Sequence, residues 1–99
     1  MLNQYLAEIY LPEVLSRDFM ALVPAQRAKI NELLMEGTIR SYSLDMNRSK
    51  VWVVLIAETE AAARELLEDF PVMPYCSFDL FELMFHDMAT HELPRISLN

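Results

Sequence analysis

A chain of ninety-nine residues makes one domain, because at this length only about two thirds of the unfolded surface is buried and that cannot be shared between two cores. Fifteen Asp and Glu against eight Lys and Arg leave a net charge of −7. That field repels phosphate backbones and anionic membrane surfaces, so neither nucleic acid nor membrane is an expected partner. Hydrophobic residues reach 54%, more than one small interior needs, and the surplus is expected in a subunit interface.

The one cysteine, Cys76, has no partner for a disulfide or a zinc site and fits a reducing compartment, so a cytoplasmic location is expected. It reads as an inert buried thiol. The first eleven residues carry Glu8 in their apolar stretch and no basic leader, and no signal peptide is expected. The longest apolar run, residues 51–57, is far below the ~20 residues that span a bilayer, so a soluble chain is expected.

In chain order, residues 4–11 read as a strand ended by Pro12. Ser16 caps a helix whose Phe19, Val23, Ile30 and Leu34 recur at helical spacing and which Gly37 stops, with a kink at Pro24 expected in preference to one short helix ending and a second beginning there. Residues 38–46 and 50–58 form a hairpin turned at Asn47, Arg48 and Ser49. Thr59 caps a second helix with Ala63, Leu66, Leu67 and Phe70 on one face, and Pro71 ends it. A connector of residues 71–75 leads to a fourth strand over residues 77–86. Residues 87–99 form a tail whose Leu93, Pro94, Ile96 and Leu98 are expected to pack on a neighbouring subunit.

The βαββαβ order implies an α+β fold, a ferredoxin-like sandwich of a four-stranded antiparallel sheet with both helices on one face, spanning residues 1–86. The third strand is apolar on both sides, so its outward residues need cover. A second copy packing sheet to sheet supplies it, giving a homodimer or higher homo-oligomer built as a dimeric α+β barrel whose enclosed space takes a small ligand.

Several stretches carry a resemblance. Phe70-Pro71-Val72-Met73-Pro74-Tyr75, followed by an apolar strand ending in His86, resembles the Leu-Pro-Leu-Phe-Pro-Tyr signature of the muconolactone Δ-isomerases. Ile9-Tyr10-Leu11-Pro12, Glu36-Gly37 with Ile39-Arg40, and Glu58-Thr59 agree in order and spacing. The resemblance implies a cofactor-free isomerase that moves a proton within a small unsaturated lactone bearing a carboxylate. Such chemistry needs a base, a proton donor and a cation. Glu8, on the strand face away from the helices, is the candidate base. His86, which coincides with a family histidine, is the candidate shuttle. Arg40, matching a family arginine and expected on the same strand face as Tyr42, is the candidate carboxylate clamp. Tyr42 and Trp52 are candidate pocket walls.

The chain departs from the family pattern at Ser41, Ser43, Val51 and Val53, neutral where the enzymes carry more Arg and His, which points to a less charged ligand. The alternative is a non-catalytic dimeric module that binds a small molecule or assembles. No metal is expected, since His86, Asp87, His91 and Glu92 fit no helical or ribbon ligand spacing. The RNA-recognition reading of the same element order fails on charge and on a third strand without paired aromatics.

Overall fold

The computed structural model describes residues 1–89. The tail expectations from residue 90 onward, including Leu93, Pro94, Ile96 and Leu98, and the His91 and Glu92 positions, lie outside the described residues. Strand β1 is Asn3–Tyr10, helices α1 and α2 are Arg17–Ala21 and Val23–Glu36, and β2 and β3 are Ile39–Leu44 and Lys50–Ala57. Helix α3 is Glu60–Glu68. A 3₁₀ turn at Met73–Tyr75 leads to β4, Ser77–Leu83. The sheet runs β2-β3-β1-β4 with every neighbouring pair antiparallel, the ferredoxin-like arrangement that the element order implies.

Alternation along the strands sorts the side chains. Tyr5, Ala7 and Ile9 of β1 and Val51, Val53, Leu55 and Ala57 of β3 are buried in one core with Ile30 and Leu33 of α2 and Ala63 and Leu67 of α3. Helices α2 and α3 therefore cover one face. The other face carries Leu6 and Glu8, which pair in register with Val54 and Trp52 of β3 and with Phe81 and Asp79 of β4. No described helix packs on it, and Phe81 is 49% exposed, although Val54 is only 6% exposed.

The helix ends follow local chemistry. The Ser16 hydroxyl accepts from the Phe19 N–H, and the Thr59 hydroxyl accepts from the Ala62 N–H, each satisfying an orphan donor of a first turn. Gly37 closes α2 in the left-handed region at φ 82°, where a side chain is disfavoured. The expected kink at Pro24 is instead a break. Helix α1 ends at Ala21 and α2 starts afresh at Val23 with Pro24 in its first turn, where a missing N–H costs nothing. The break resets the helical phase, so α2 buries Gln26, Ile30 and Leu33 and leaves Leu34 40% exposed.

Two smaller departures matter for the site. A bulge between Ile39 and Ser41 interrupts the alternation on which Arg40 would share a face with Tyr42. Strand β4 stops at Leu83, so His86 lies beyond the strand rather than at its end.

Candidate functional site

The helix layer does not close over one end of the sheet. There, a cavity of about 650 Å³ is walled by α1 and the start of α2, by Leu11 after β1, by Tyr42 and Leu44 of β2, and by Val72 of the connector. The break at Leu22 creates the opening, because it lets Phe19 and Met20 form one wall while Val23, Gln26 and Ile30 form another. Phe19 is held by an edge-on contact with Tyr75, ring centroids 6.0 Å apart, so the double-proline connector supports the α1 wall. The size is that of pockets which take small organic molecules.

The lining is apolar except for Gln26, Arg27, Asn31, Tyr42 and Arg48. Both arginines are exposed and neither is ion-paired to a described residue. Arg48 sits on a turn locked by Asp45, whose carboxylate accepts from the Ser49 N–H at 2.7 Å, the Ser49 hydroxyl at 2.6 Å and the Lys50 N–H at 3.0 Å. Those bonds hold the Asp45 carboxyl below its ordinary pKa, and they fix Arg48 in the left-handed region at φ 57°. No Asp, Glu or His lies among the described lining residues, so the cavity mouth is cationic on an acidic chain.

Tyr42 is half-buried, and its desolvation raises the phenol above its ordinary pKa, keeping it protonated at neutral pH. Burial likewise pushes the nearby Cys76 thiol up to about 11, which leaves it a thiol rather than a nucleophilic thiolate.

Of the five residues singled out from sequence, Tyr42 alone lines this cavity. Glu8 is on the opposite sheet face, paired to Lys50 at 3.2 Å, with Trp52 beside it in register. On the same face the Tyr10 hydroxyl donates to Asp79 at 2.8 Å. That bond, with the surrounding negative charge, raises Tyr10 to about 12. The Lys50 ammonium sits 5.7 Å from the Tyr10 ring. His86 lies at the far end of the sheet, lining a separate hollow of about 410 Å³ between the chain start and residues 83–87. Its Nε2 and the Oε1 of Gln4, another residue of that hollow, are both buried with no hydrogen-bond partner among the described residues. Arg40 is exposed at the β2 bulge. A single chain therefore does not gather Glu8, Arg40 and His86 around one cavity.

Gln26, Arg27 and Arg48 escaped the sequence reading. One signal was available: Gln26 interrupts the stripe Val23, Ile30, Leu34 at helical spacing, and a polar residue within an apolar stripe marks a buried hydrogen-bonding position.

Neither a protein-family model nor a curated protein sequence matches the chain. Solved structures do. The fold superposes on muconolactone isomerase with a TM-score of 0.67 at 20% identity, over 96% of this chain and all of that one. More distant likenesses are to Rv0793 of Mycobacterium tuberculosis, at a TM-score of 0.47 and 15% identity over 91% of this chain and all of that one. SnoaB, a cofactor-independent oxygenase of Streptomyces nogalater, follows at 0.36 and 11% over 95% of this chain and 98% of that one. Among the described residues no helix is long and apolar enough to cross a membrane. The βαββαβ chain with its double-proline connector thus has a muconolactone isomerase-like fold.

Proposed function

We propose that this protein binds a small molecule with an apolar body and an anionic group, such as a carboxylate, in the cavity between the α1–α2 layer and the sheet. The observation that carries the reading is the lining: a mostly apolar surface ending at Arg27 and Arg48, with no described acid. Apolar walls supply affinity through burial, and guanidinium groups orient a carboxylate. The titratable side chain inside, Tyr42, is held protonated, so the described lining offers binding and hydrogen-bond donation but no general base.

The isomerase reading is the second. It draws on the likeness to muconolactone isomerase and on Glu8, partly shielded on the uncovered sheet face, where a second copy would complete its surroundings. That same face supports a homodimer. Leu6, Val54 and Phe81 form a continuous cross-strand apolar row, and a sheet-to-sheet contact of about 800 Å² per partner is a standard-size interface.

The test uses matched probes. Cinnamate is expected to raise the melting temperature more than cinnamyl alcohol, and Arg27→Met with Arg48→Met should remove the difference. Equal stabilisation by both probes, or an unchanged difference in the double variant, refutes the anionic-ligand reading. The ultraviolet absorbance of muconolactone, followed with wild type and Glu8→Gln, tests turnover separately. Flat traces for both remove the isomerase reading for that substrate.

A further inference from the structure

We propose that Gln26 is a positioning residue that sets the polarity of the Tyr42 hydroxyl, making it a hydrogen-bond donor to the cavity and selecting ligands with an acceptor oxygen. The inference rests on the cavity being the ligand site. Its own argument begins at the connector. There the N–H groups of Met73, Tyr75 and Cys76 bond back to Phe70, Val72 and Met73 carbonyls within the turn, and Pro71 and Pro74 have no N–H to place. Val72 is the exception: its N–H donates to the Gln26 side chain at 3.3 Å.

A backbone N–H can only donate, so the Gln26 atom facing it is the carbonyl oxygen, and that contact fixes the orientation of the amide. The other end of the amide is then the NH₂ group, which lies 3.4 Å from the Tyr42 hydroxyl. An amide NH₂ cannot accept. Tyr42 therefore uses its oxygen as the acceptor for Gln26 and keeps its own proton to give elsewhere. No described residue takes that proton in a hydrogen bond, and both Gln26 and Tyr42 line the cavity. Gln26 is only 7% exposed, so solvent does not compete for its amide, and rotating it would orphan the Val72 N–H and set the amide NH₂ against it, donor to donor. The double-proline connector thus acts on the site at one remove, by holding the amide that holds the phenol.

The consequence is a selection by hydrogen-bond sense. A ketone, ester, lactone or carboxylate oxygen placed at Tyr42 gains a partner. A hydrocarbon gains nothing there, and an ammonium group meets a donor as well as two guanidinium charges.

The experiment measures 1-indanone and indane, which share a skeleton and differ in the acceptor oxygen, by ligand titration followed by NMR. Wild type, Tyr42→Phe and Gln26→Glu are compared. Glutamate is close in shape and accepts from both the Val72 N–H and the Tyr42 O–H, so it turns the phenol proton away from the cavity. Both variants are expected to weaken 1-indanone by about three- to tenfold, the range of one net hydrogen bond, and to leave indane within about twofold. If Gln26→Glu does not fold, Gln26→Met takes its place: it removes the orienting donor but leaves the Tyr42 proton free, so 1-indanone is expected to weaken by about twofold, less than in Tyr42→Phe, with indane unchanged. A merely structural role for Gln26 would weaken both probes together, and that result overturns the proposal. Unchanged 1-indanone binding in Tyr42→Phe also overturns it while leaving the cavity reading intact. If neither probe perturbs cavity resonances in the wild-type chain, the cavity reading itself fails and this inference falls with it.

Discussion

Phe19 is the residue on which the cavity wall depends. It is 5% exposed, it is the buried residue of the five-residue helix α1, and its ring meets Tyr75 edge-on at 6.0 Å. Phe19→Ala removes a buried aromatic side chain, a change that costs about 3–5 kcal/mol, of which the aromatic pair accounts for about 0.5–1.5 kcal/mol. Unfolding entropy near 2.1 cal/mol/K per residue gives a domain of this size about 0.2 kcal/mol/K at the midpoint. The expected fall in melting temperature is therefore about 15–25 °C. Phe19→Leu, which retains most of the volume, should lose about 5 °C. Differential scanning calorimetry at one fixed protein concentration reads both, with concentration held because association would add to the apparent stability. A fall below about 5 °C for Phe19→Ala, with exchange protection lost only over residues 16–22, would refute the reasoning. It would mean that α1 opens by itself and that the cavity has no built wall on that side.

Other outcomes follow from the same structure. Tyr10→Phe removes the donor to Asp79. Because the folded phenol titrates at about 12 against an ordinary 10.0, its contribution is complete below pH 10 and lost as pH rises through 12, so the variant should flatten the alkaline limb of a stability–pH curve in that window. Asp45→Asn acts at the other extreme. The lowered folded pKa supports the fold above the ordinary carboxyl value of 3.8 and fades as pH falls through the folded value, so the variant should be least distinguishable from wild type in strong acid. Gly37→Ala meets no atom within 4 Å at its new Cβ, which leaves only the left-handed backbone to disfavour it, and a loss of about 1–2 kcal/mol is expected by urea denaturation. Leu6→Asp places a charge in the uncovered apolar row and should convert a sheet-paired dimer to monomer in analytical ultracentrifugation, with far-ultraviolet circular dichroism unchanged.

Strand alternation was legible because period two is strict: the residues that alternate with Glu8 along β1 are the ones buried beneath the helices. The caps at Ser16 and Thr59 and the stop at Gly37 were legible for a similar reason, since each is a local bond or a local φ. Pro24 was ambiguous, because a proline fits both a kink and a fresh first turn, and the choice depends on how α1 packs against Tyr75, a residue far along the chain. The bulge at Arg40 has no local marker either. Its register is set by the β3 partner, and a slip of one residue changes which face a side chain takes. The site was the least legible part. Residue type alone marks candidate acids and bases, whereas the cavity is assembled from α1, α2, β2 and the connector, and its arginines look in sequence like any solvated charge.

The two flanks of the sheet are β2 and β4, and an open flank is a template on which stray chains can add a strand. Here β2 is short and loses its regular spacing at Arg40, while β4 carries Asp79 and Glu82 along an exposed ribbon. Irregular pitch on one margin and like charge on the other both oppose sideways growth into fibrils, so self-association of this greasy chain is steered away from its rims and toward broad, side-chain-mediated contact.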